Sequence, residues 1–334
     1  MSLACILGCA GTRLAEDERR FFTDADPWGF ILFARNVETP DQLRALTEDL
    51  RACLGRDAPI LVDQEGGRVQ RLGPPHWRDW LPPLDHATRA SDPERALWIR
   101  SRLMADELRA VGIDVNCAPT ADVARPDTHP FLRNRCLGTD ADTVARNARA
   151  VADGLTAGGV LPVMKHMPGH GRALADSHKD LPVVTADADA LHQDFAPFAA
   201  LAALADLPMG MTAHIVFRAL SDRPATQDPA MIALIRDRIG FDGLLMTDDL
   251  SMEALSGSIG DRTAASIAAG VDMALHCNGD MAEMRDCASH CGLLEGAALA
   301  RADAALARRH APDPVDIHAL EAELDGLLRG RADG

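Results

Sequence analysis

The stretch Val160-Leu-Pro-Val-Met-Lys165-His166 is a short apolar run that ends in two ionisable side chains. Helical patterns lie on both sides of it, over Asp140–Ala157 and Asp189–Leu207, where Ala, Leu and charged residues recur at helical spacing. Successive parallel strands need a crossover connection, which is usually a helix. This part of the chain therefore predicts an α/β fold with a parallel sheet.

Apolar runs of similar length recur along the whole chain, with helical patterns between them. The predicted strands are Leu3–Cys9, Trp28–Phe33, Pro59–Asp63, Gly112–Pro119, Val160–Lys165, Met209–Val216, Gly243–Thr247 and Val271–His276. The other predicted helices, several of which open on an Asp or Thr N-cap, are Thr39–Leu54, Asp92–Val111 and Asp261–Ala269. Eight strands alternating with helices predict a single (β/α)8 TIM barrel. We expect one domain over residues 1–334, with the C-terminal ~30 residues as closing helices.

The composition limits the partners and the compartment. The 334 residues carry a formal net charge of -16, which argues against nucleic acids and anionic membranes because both bind clustered Lys and Arg. No apolar run approaches the ~20 residues of a spanning helix, and Met1–Cys9 lacks the basic residues and apolar length of a signal peptide. The eight cysteines show no metal-binding spacing, so we expect reduced thiols, no metal and no cofactor. These features favour a cytoplasmic protein, with a monomer as the default.

Polar residues collect directly after the predicted strands. In a TIM barrel this is the face where the active-site loops meet. No Gly-x-Gly-x-x-Gly or P-loop opens a helix, which argues against a nucleotide-binding doubly wound sheet. The residues that follow the strands include Asn36, Asp63, Arg68, Asp122, Lys165, His166, His214, Asp248, Asp249 and His276.

The connection after the fifth predicted strand is longer than most βα loops. It opens with Lys165-His-Met-Pro-Gly-His-Gly171 and continues through Asp176-Ser-His178. A long loop with several ionisable residues is more typical of a functional lid than of a structural insertion. Asp176 is close enough in sequence to hydrogen-bond the His178 imidazole, hold one tautomer and raise its pKa. If His178 were only a solvent-exposed loop residue, the position of Asp176 two residues before it would have no explanation.

Two aspartates, Asp248 and Asp249, follow the seventh predicted strand. One aspartate before Leu-Ser-Met-Glu253 is an ordinary N-cap for a helix. A cap needs only one carboxylate. The second, at the barrel mouth, is placed to act as a nucleophile or to stabilise positive charge.

Three motifs in this order resemble the β-N-acetylglucosaminidases of glycoside hydrolase family 3, in their peptidoglycan-recycling branch. They are Lys165-His-x-Pro-Gly-His-Gly171, Asp176-Ser-His178 and Thr247-Asp-Asp-Leu-Ser-Met252. Each motif alone is weak, but the ordered set is specific, and further matching segments extend the resemblance over nearly the whole chain. Those segments are Ile31–Asn36, Val62–Val69, Asn116–Val123 and Asn134–Gly138.

The resemblance implies a retaining exo-glycosidase with Asp248 as the nucleophile and His178, assisted by Asp176, as the acid/base. It implies that the substrate is a muropeptide, N-acetylglucosamine linked to 1,6-anhydro-N-acetylmuramic acid with or without peptide, cleaved in cell-wall recycling. Met167 departs from the family, where Phe is common, and we expect this to change packing rather than activity. The residues implied to contact the sugar are Asp63, Arg71, Arg135, Lys165 and His166.

A histidine acid/base has a physical advantage beside an aspartate nucleophile. Two carboxylates at one site repel each other, so that one pKa must be raised, whereas a neutral imidazole avoids this. With a pKa near ~6.5 before perturbation, His178 can protonate the leaving group and then accept a proton from water.

Three other functions remain open at this level. A metal-dependent barrel hydrolase would use the mixed nitrogen and oxygen donors His166, His170, His178, Asp176 and Asp248. A protein that binds saccharide without turning it over would keep the fold but not the chemistry. Phosphorolysis is the third, because a histidine acid/base does not repel phosphate as a carboxylate would.

Overall fold

The computed structural model describes residues 1–175, 180–203 and 207–329. Eight parallel strands pair in the order β7-β6-β5-β4-β3-β2-β1-β8, and a parallel bridge between Met246 and Met273 joins β7 to β8. This ring confirms the predicted (β/α)8 barrel. Its strands are β1 (Leu3–Gly8), β2 (Pro27–Leu32), β3 (Ile60–Val62), β4 (Val115–Asn116), β5 (Leu161–Met167), β6 (Met209–Thr212), β7 (Leu244–Met246) and β8 (Ala274–His276).

The helices lie between the strands and after the last one. The predicted caps Thr39, Asp92 and Asp140 each accept a backbone N–H at the start of their helix. The predicted starts at Asp189 and Asp261 were wrong, because Asp187 and Ser258 make the capping bonds. The helices are α1 (Glu16–Ala25), α2 (Pro40–Leu54), α3 (Pro83–Arg89), α4 (Pro93–Arg109), α5 (Pro130–Arg133), α6 (Ala141–Ala157), α7 (Ala188–Ala202), α8 (Pro229–Ala233), α9 (Ile259–Ala269), α10 (Met281–His290), α11 (Gly296–Leu306) and α12 (Ile317–Arg329).

Several predicted strands were too long. The predicted run Gly112–Pro119 pairs only over β4, and Met209–Val216 only over β6. Val216–Phe217 instead pairs in parallel with Val183–Val184, outside the barrel. An apolar run does not show which neighbour a strand meets, so its paired length depends on the tertiary structure.

Side chains alternate between two hydrophobic clusters along the barrel strands, as the two-residue period requires. In β1, Ala4 and Ile6 belong to the inner cluster, whereas Cys5 and Leu7 belong to the larger cluster shared with the helices. Helix α11 packs against β7 and contributes to the inner cluster, so it covers part of the barrel interior. Helix α12 packs on α3 and α4.

The eight cysteines are all free thiols, and all but Cys53 are buried. Of the helices in the described part of the chain, none combines the length and the apolar character needed to cross a membrane.

Candidate active site

A cavity of about 390 Å³ opens at the C-terminal ends of the barrel strands. Five sugar-contact candidates and the nucleophile candidate line this one cavity. They are Asp63, Arg71, Arg135, Lys165, His166 and Asp248. Asp176 and His178 lie outside the described residues.

Asp63, which lines the cavity, and the buried Glu65 form an anionic pair beside it. Lys165 Nζ bridges them, at 2.7 Å from Asp63 Oδ1 and 2.6 Å from Glu65 Oε1. Arg71 Nη2 donates to Asp63 at 3.0 Å, and Arg135 binds Glu65 through two hydrogen bonds of 2.9 and 2.8 Å. Two carboxylates and three cations therefore share one buried network, in which each charge has a partner.

The network also determines protonation. Burial alone would raise the pKa of both carboxyls, but Lys165 and Arg71 hold the pKa of Asp63 well below its ordinary value. Arg135 and Lys165 lower the pKa of Glu65 to about 2. Burial would lower the pKa of Lys165, yet Asp63 and Glu65 raise it. All of these groups are ionised at neutral pH.

A short hairpin after β3 brings Arg71 back to the cavity. Gln64–Gly66 pairs antiparallel with Val69–Gln70, and the Arg71 N–H donates to Gln64 Oε1 at 2.9 Å. The Arg71 guanidinium lies 4.9 Å from the centre of the Phe33 ring, which forms part of the apolar wall. The hairpin thus explains how residues 63 and 71 meet at one ion pair.

Gly66 adopts φ 102° in this hairpin, a conformation that favours glycine. A Cβ at this position would overlap Arg100 Nη2 and the Leu81 carbonyl oxygen. Arg100, from α4, donates to the carbonyl oxygens of Glu65 at 2.6 Å and Leu81 at 2.7 Å. Glycine is therefore needed for the helix to hold the hairpin backbone.

His166 has both ring nitrogens engaged. Arg135 Nη2 lies 3.2 Å from Nε2, and because a guanidinium can only donate, Nε2 must accept. Nδ1 then carries the hydrogen and donates to Asp122 at 2.7 Å. Asp122 is fully buried and also accepts the His170 N–H at 2.6 Å. Asp122 thus anchors both His166 and the start of the fifth loop.

His170 also lines the cavity. Burial, reinforced by the neighbouring His166, lowers its pKa to about 4, so its ring is neutral at pH 7. Its Nδ1 is buried with no hydrogen-bond partner in the part of the chain that the structure describes.

Asp248 differs from the other buried carboxylates. Its Oδ1 accepts the backbone N–H of Asp249 at 2.8 Å, and within the described ranges it forms no ion pair with Lys or Arg. Burial alone would raise its pKa, but His166, His214 and the Asp249 N–H lower it below the ordinary value. Asp248 is an ionised carboxylate that faces the cavity, and no Lys or Arg in the described part of the chain pairs with it.

Asp249 has a structural role instead. Its carboxylate accepts Ser251 N–H at 3.0 Å, Ser251 Oγ at 2.6 Å and Cys277 N–H at 3.1 Å. The alternative interpretation of this segment as a helix cap was wrong, because residues 250–255 form turns and α9 begins only at Ile259. Asp249 fixes the turn and leaves Asp248 directed at the cavity.

The sequence motifs contain Glu65 and Asp122 but do not indicate the roles that the structure gives them. A signal existed for Glu65, because side chains two residues apart on an extended chain point the same way, and Asp63 was a candidate. No local signal existed for Asp122, whose partners lie 44 and 48 residues away.

Comparisons with known proteins show the family of this chain. The model of the glycosyl hydrolase family 3 N terminal domain matches residues 5–308. A β-hexosaminidase of Alkalilimnicola ehrlichii is 37% identical over 280 residues, which cover 82% of this chain and 80% of that protein. A β-hexosaminidase of Xylella fastidiosa is 38% identical over 286 residues, which cover 83% of this chain and 84% of that protein.

A solved structure extends the similarity to nearly the full length. NagZ from Neisseria gonorrhoeae in complex with N-trifluoroacetyl-D-glucosamine superposes with a TM-score of 0.84 at 29% sequence identity, covering 99% of this chain and 97% of that one. With the family model and these relatives, the chain belongs to glycosyl hydrolase family 3 and is a glycosidase.

Proposed function

We propose that this glycosidase is a retaining exo-β-N-acetylglucosaminidase with Asp248 as its nucleophile. The observation that carries the proposal is the contrast among the carboxylates. All three carboxylates are ionised, but Asp63 and Glu65 form ion pairs with Lys or Arg, whereas Asp248 faces the cavity and lacks a cationic partner among the described residues. An unpaired carboxylate is free to form a bond to carbon.

In the proposed mechanism, an Asp248 oxygen attacks the anomeric carbon while the bond to the leaving oxygen breaks. His178 gives its proton to that oxygen, and a covalent glycosyl ester forms with inversion. Water then loses a proton to His178 and attacks the same carbon. The ester bond breaks, a second inversion follows, and the product keeps the β configuration.

The assignment of His178 rests on the family resemblance, and the described cavity residues support it by exclusion. Asp63 is held ionised by Lys165 and Arg71. His170 is neutral at pH 7, and His166 uses its Nδ1 hydrogen for Asp122. None of these three is suited to donate a proton to a leaving group at neutral pH.

Substrate recognition follows from the charge network. We propose that Asp63 accepts hydrogen bonds from sugar hydroxyls. The other polar contacts to the sugar come from Arg71, Arg135, Lys165 and His166. A polar pocket of this size that encloses one terminal sugar favours exo cleavage. The β-hexosaminidase relatives and the N-trifluoroacetyl-D-glucosamine complex of NagZ support a 2-acetamido sugar.

We further propose that the substrate is a muropeptide carrying terminal N-acetylglucosamine and that the enzyme acts in cell-wall recycling, as the family resemblance implies. The eight free thiols support the cytoplasm as the compartment, because a reducing environment keeps cysteines unpaired. A monomer is our proposed working state, as the default for a single barrel.

Labelling and turnover test the nucleophile. A slow fluorosugar substrate should label Asp248, and Asp248→Ala should lose turnover of an aryl β-N-acetylglucosaminide by at least ~10³-fold. A label on another residue, or near wild-type turnover in the variant, contradicts the assignment. A panel of aryl glycosides with and without the 2-acetamido group tests the sugar class.

The two remaining mechanisms are tested in the same assay. Within residues 1–175, 180–203 and 207–329, no group of three or more His, Cys, Asp or Glu is arranged to hold a metal ion. Full activity in the presence of a chelator is expected for the proposed mechanism. Formation of sugar 1-phosphate in phosphate buffer would instead indicate phosphorolysis.

A further inference from the structure

His214 lies just behind the cavity rather than in its wall. It follows β6, it is fully buried, and both ring nitrogens are in contact with polar atoms. Nε2 lies 3.0 Å from the carbonyl oxygen of Asp249, and Nδ1 lies 2.8 Å from Thr226 Oγ1. The ring therefore connects the end of β6 to the backbone immediately after Asp248.

The hydrogen bonds assign the tautomer. A carbonyl oxygen can only accept, so the hydrogen is on Nε2. Burial lowers the pKa of His214, which leaves the ring neutral at pH 7 and makes Nδ1 an acceptor. The Thr226 hydroxyl hydrogen then points to Nδ1 rather than to the Ala213 carbonyl oxygen at 3.0 Å, and Thr212 Oγ1 lies 2.8 Å from Thr226 Oγ1. This polar chain holds the ring in one orientation.

The segment that His214 contacts is also held by β8 and the residues beside it, and by Arg262 Nη1, which donates to the carbonyl oxygens of Leu250 at 2.8 Å and Met252 at 3.0 Å. Thr247 N–H donates to the Met273 carbonyl at 3.0 Å, and Leu250 N–H donates to the Leu275 carbonyl at 2.9 Å. The Asp249 carbonyl oxygen accepts the backbone N–H of Met252 at 3.2 Å as well as the His214 Nε2–H, and the Asp249 N–H donates to Asp248 Oδ1. His214 thus contacts the peptide group that follows Asp249, and the peptide group that precedes Asp249 contacts the Asp248 carboxylate.

We propose that His214 is a positioning residue for the nucleophile, acting as an Nε2–H donor that fixes the Asp249 backbone and thereby aims Asp248 at the sugar. The inference rests on the proposed function, in which Asp248 is the nucleophile. It deepens that function by explaining how an unpaired carboxylate keeps one orientation.

Two substitutions separate the hydrogen bond from the volume of the ring. His214→Phe keeps the volume but removes the donor, whereas His214→Gln can still donate from its side-chain amide. For the phenylalanine variant we expect kcat to fall ~10- to 100-fold with little change in KM, because a misplacement of about 1 Å can cost ~10²-fold in rate. The glutamine variant should recover most of this loss. His86→Phe, at a buried histidine that does not line the cavity, is the control for folding and should keep kcat.

Hydrogen exchange of the amides of residues 247–252 supplies a measurement that does not need activity. Exchange should be faster in His214→Phe than in wild type, and close to wild type in His214→Gln. Equal exchange in all three proteins, or equal kcat losses in the two variants, overturns the positioning role. If wild type failed to turn over any N-acetylglucosaminide, the proposed function would fall, and the exchange comparison would still decide whether His214 holds the segment.

Discussion

At the scale of single residues, the carboxylates in and beside the cavity differ in the charged partners that they have. Glu65 is 5% exposed and is bound by both Arg135 and Lys165, whereas among the described residues Asp248 accepts only the Asp249 backbone N–H. A buried charge without partners is costly, so the Glu65 network is expected to stabilise the fold as well as to shape the site. Asp248 and Glu65 thus have different roles in one site.

Replacing Glu65 with Gln should show how much the protein is destabilised when the network loses one carboxylate. The change leaves Arg135 and Lys165 with one carboxylate fewer, so we expect the free energy of unfolding to fall by about 3 kcal/mol and KM to rise. Urea unfolding and steady-state kinetics measure both effects. Glu323→Gln is the matched control, because its ion pair with Arg95 is about 40% exposed and worth at most ~1 kcal/mol. Equal destabilisation by the two substitutions would contradict the buried network.

His178→Ala should affect substrates according to their leaving groups. Activated aryl glycosides need little protonation, so they should lose less rate than a natural disaccharide, by ~10-fold or more in relative terms. Comparing kcat for the two substrate types measures the difference. Equal losses on both would contradict the acid role.

At the scale of elements, the hairpin after β3 depends on backbone conformation. Residues 64–71 bring Arg71 to Asp63, and Arg100 of α4 holds the hairpin at the Glu65 carbonyl. The Gly-Gly pair in this segment was visible in the sequence, but the helix that packs against it was not. An arginine that contacts a carbonyl 35 residues away leaves no local pattern.

Gly66→Ala should therefore be more harmful than an ordinary glycine substitution. A Cβ at this position meets Arg100 and Leu81, so we expect a loss of about 3 kcal/mol or more in unfolding free energy and reduced activity. Gly55→Ala is the matched control, since Gly55 also has positive φ (63°) but has open space around it, and it should cost only about 1 kcal/mol. Thermal unfolding compares Gly55→Ala, which has only the backbone strain of positive φ, with Gly66→Ala, which also has the steric overlap of the added Cβ. Similar Tm values in the two variants would contradict the proposed overlap with Arg100 and Leu81.

At the scale of the whole molecule, the barrel and its additional helices form the setting for the site. Helix α11 packs on the barrel interior and α12 on α3 and α4, and we propose that residues 1–334 form a single domain. Buried histidines are dispersed through this structure, so acid should affect the fold and not only the cavity.

Stability should fall as the pH is lowered from about 6.5. Burial lowers the pKa of His86 to about 3 and of His170 to about 4, while the unfolded chain protonates near ~6.5. The unfolded state therefore binds more protons than the folded state below pH ~6.5. Each histidine lowers the free energy of unfolding by on the order of 3 kcal/mol as the pH falls to the pKa of that histidine in the folded protein. Glu65, with its pKa of about 2, adds a loss below pH ~4.3.

Thermal unfolding between pH 4 and pH 8 measures this dependence. His86→Phe should make the acid loss of Tm smaller, whereas His192→Gln, at an exposed histidine, should leave the slope unchanged. A pH profile that is the same in wild type and His86→Phe would show that this histidine is not buried in its neutral form.

The sequence by itself determined the barrel class and most of the polar residues at its mouth. The periodicity of strands and helices arises from local geometry, and each of the ordered motifs between Lys165 and Asp248 is one short continuous stretch of sequence. The tertiary structure decided the paired lengths of β4 and β6, the structural role of Asp249, and the partners of Glu65, Asp122 and His214. Those roles depend on contacts between side chains or carbonyls far apart in sequence, such as Arg135 with Glu65 across 70 residues. Burial and the charged partners that it brings together set the protonation of these groups, and both exist only once the barrel has formed.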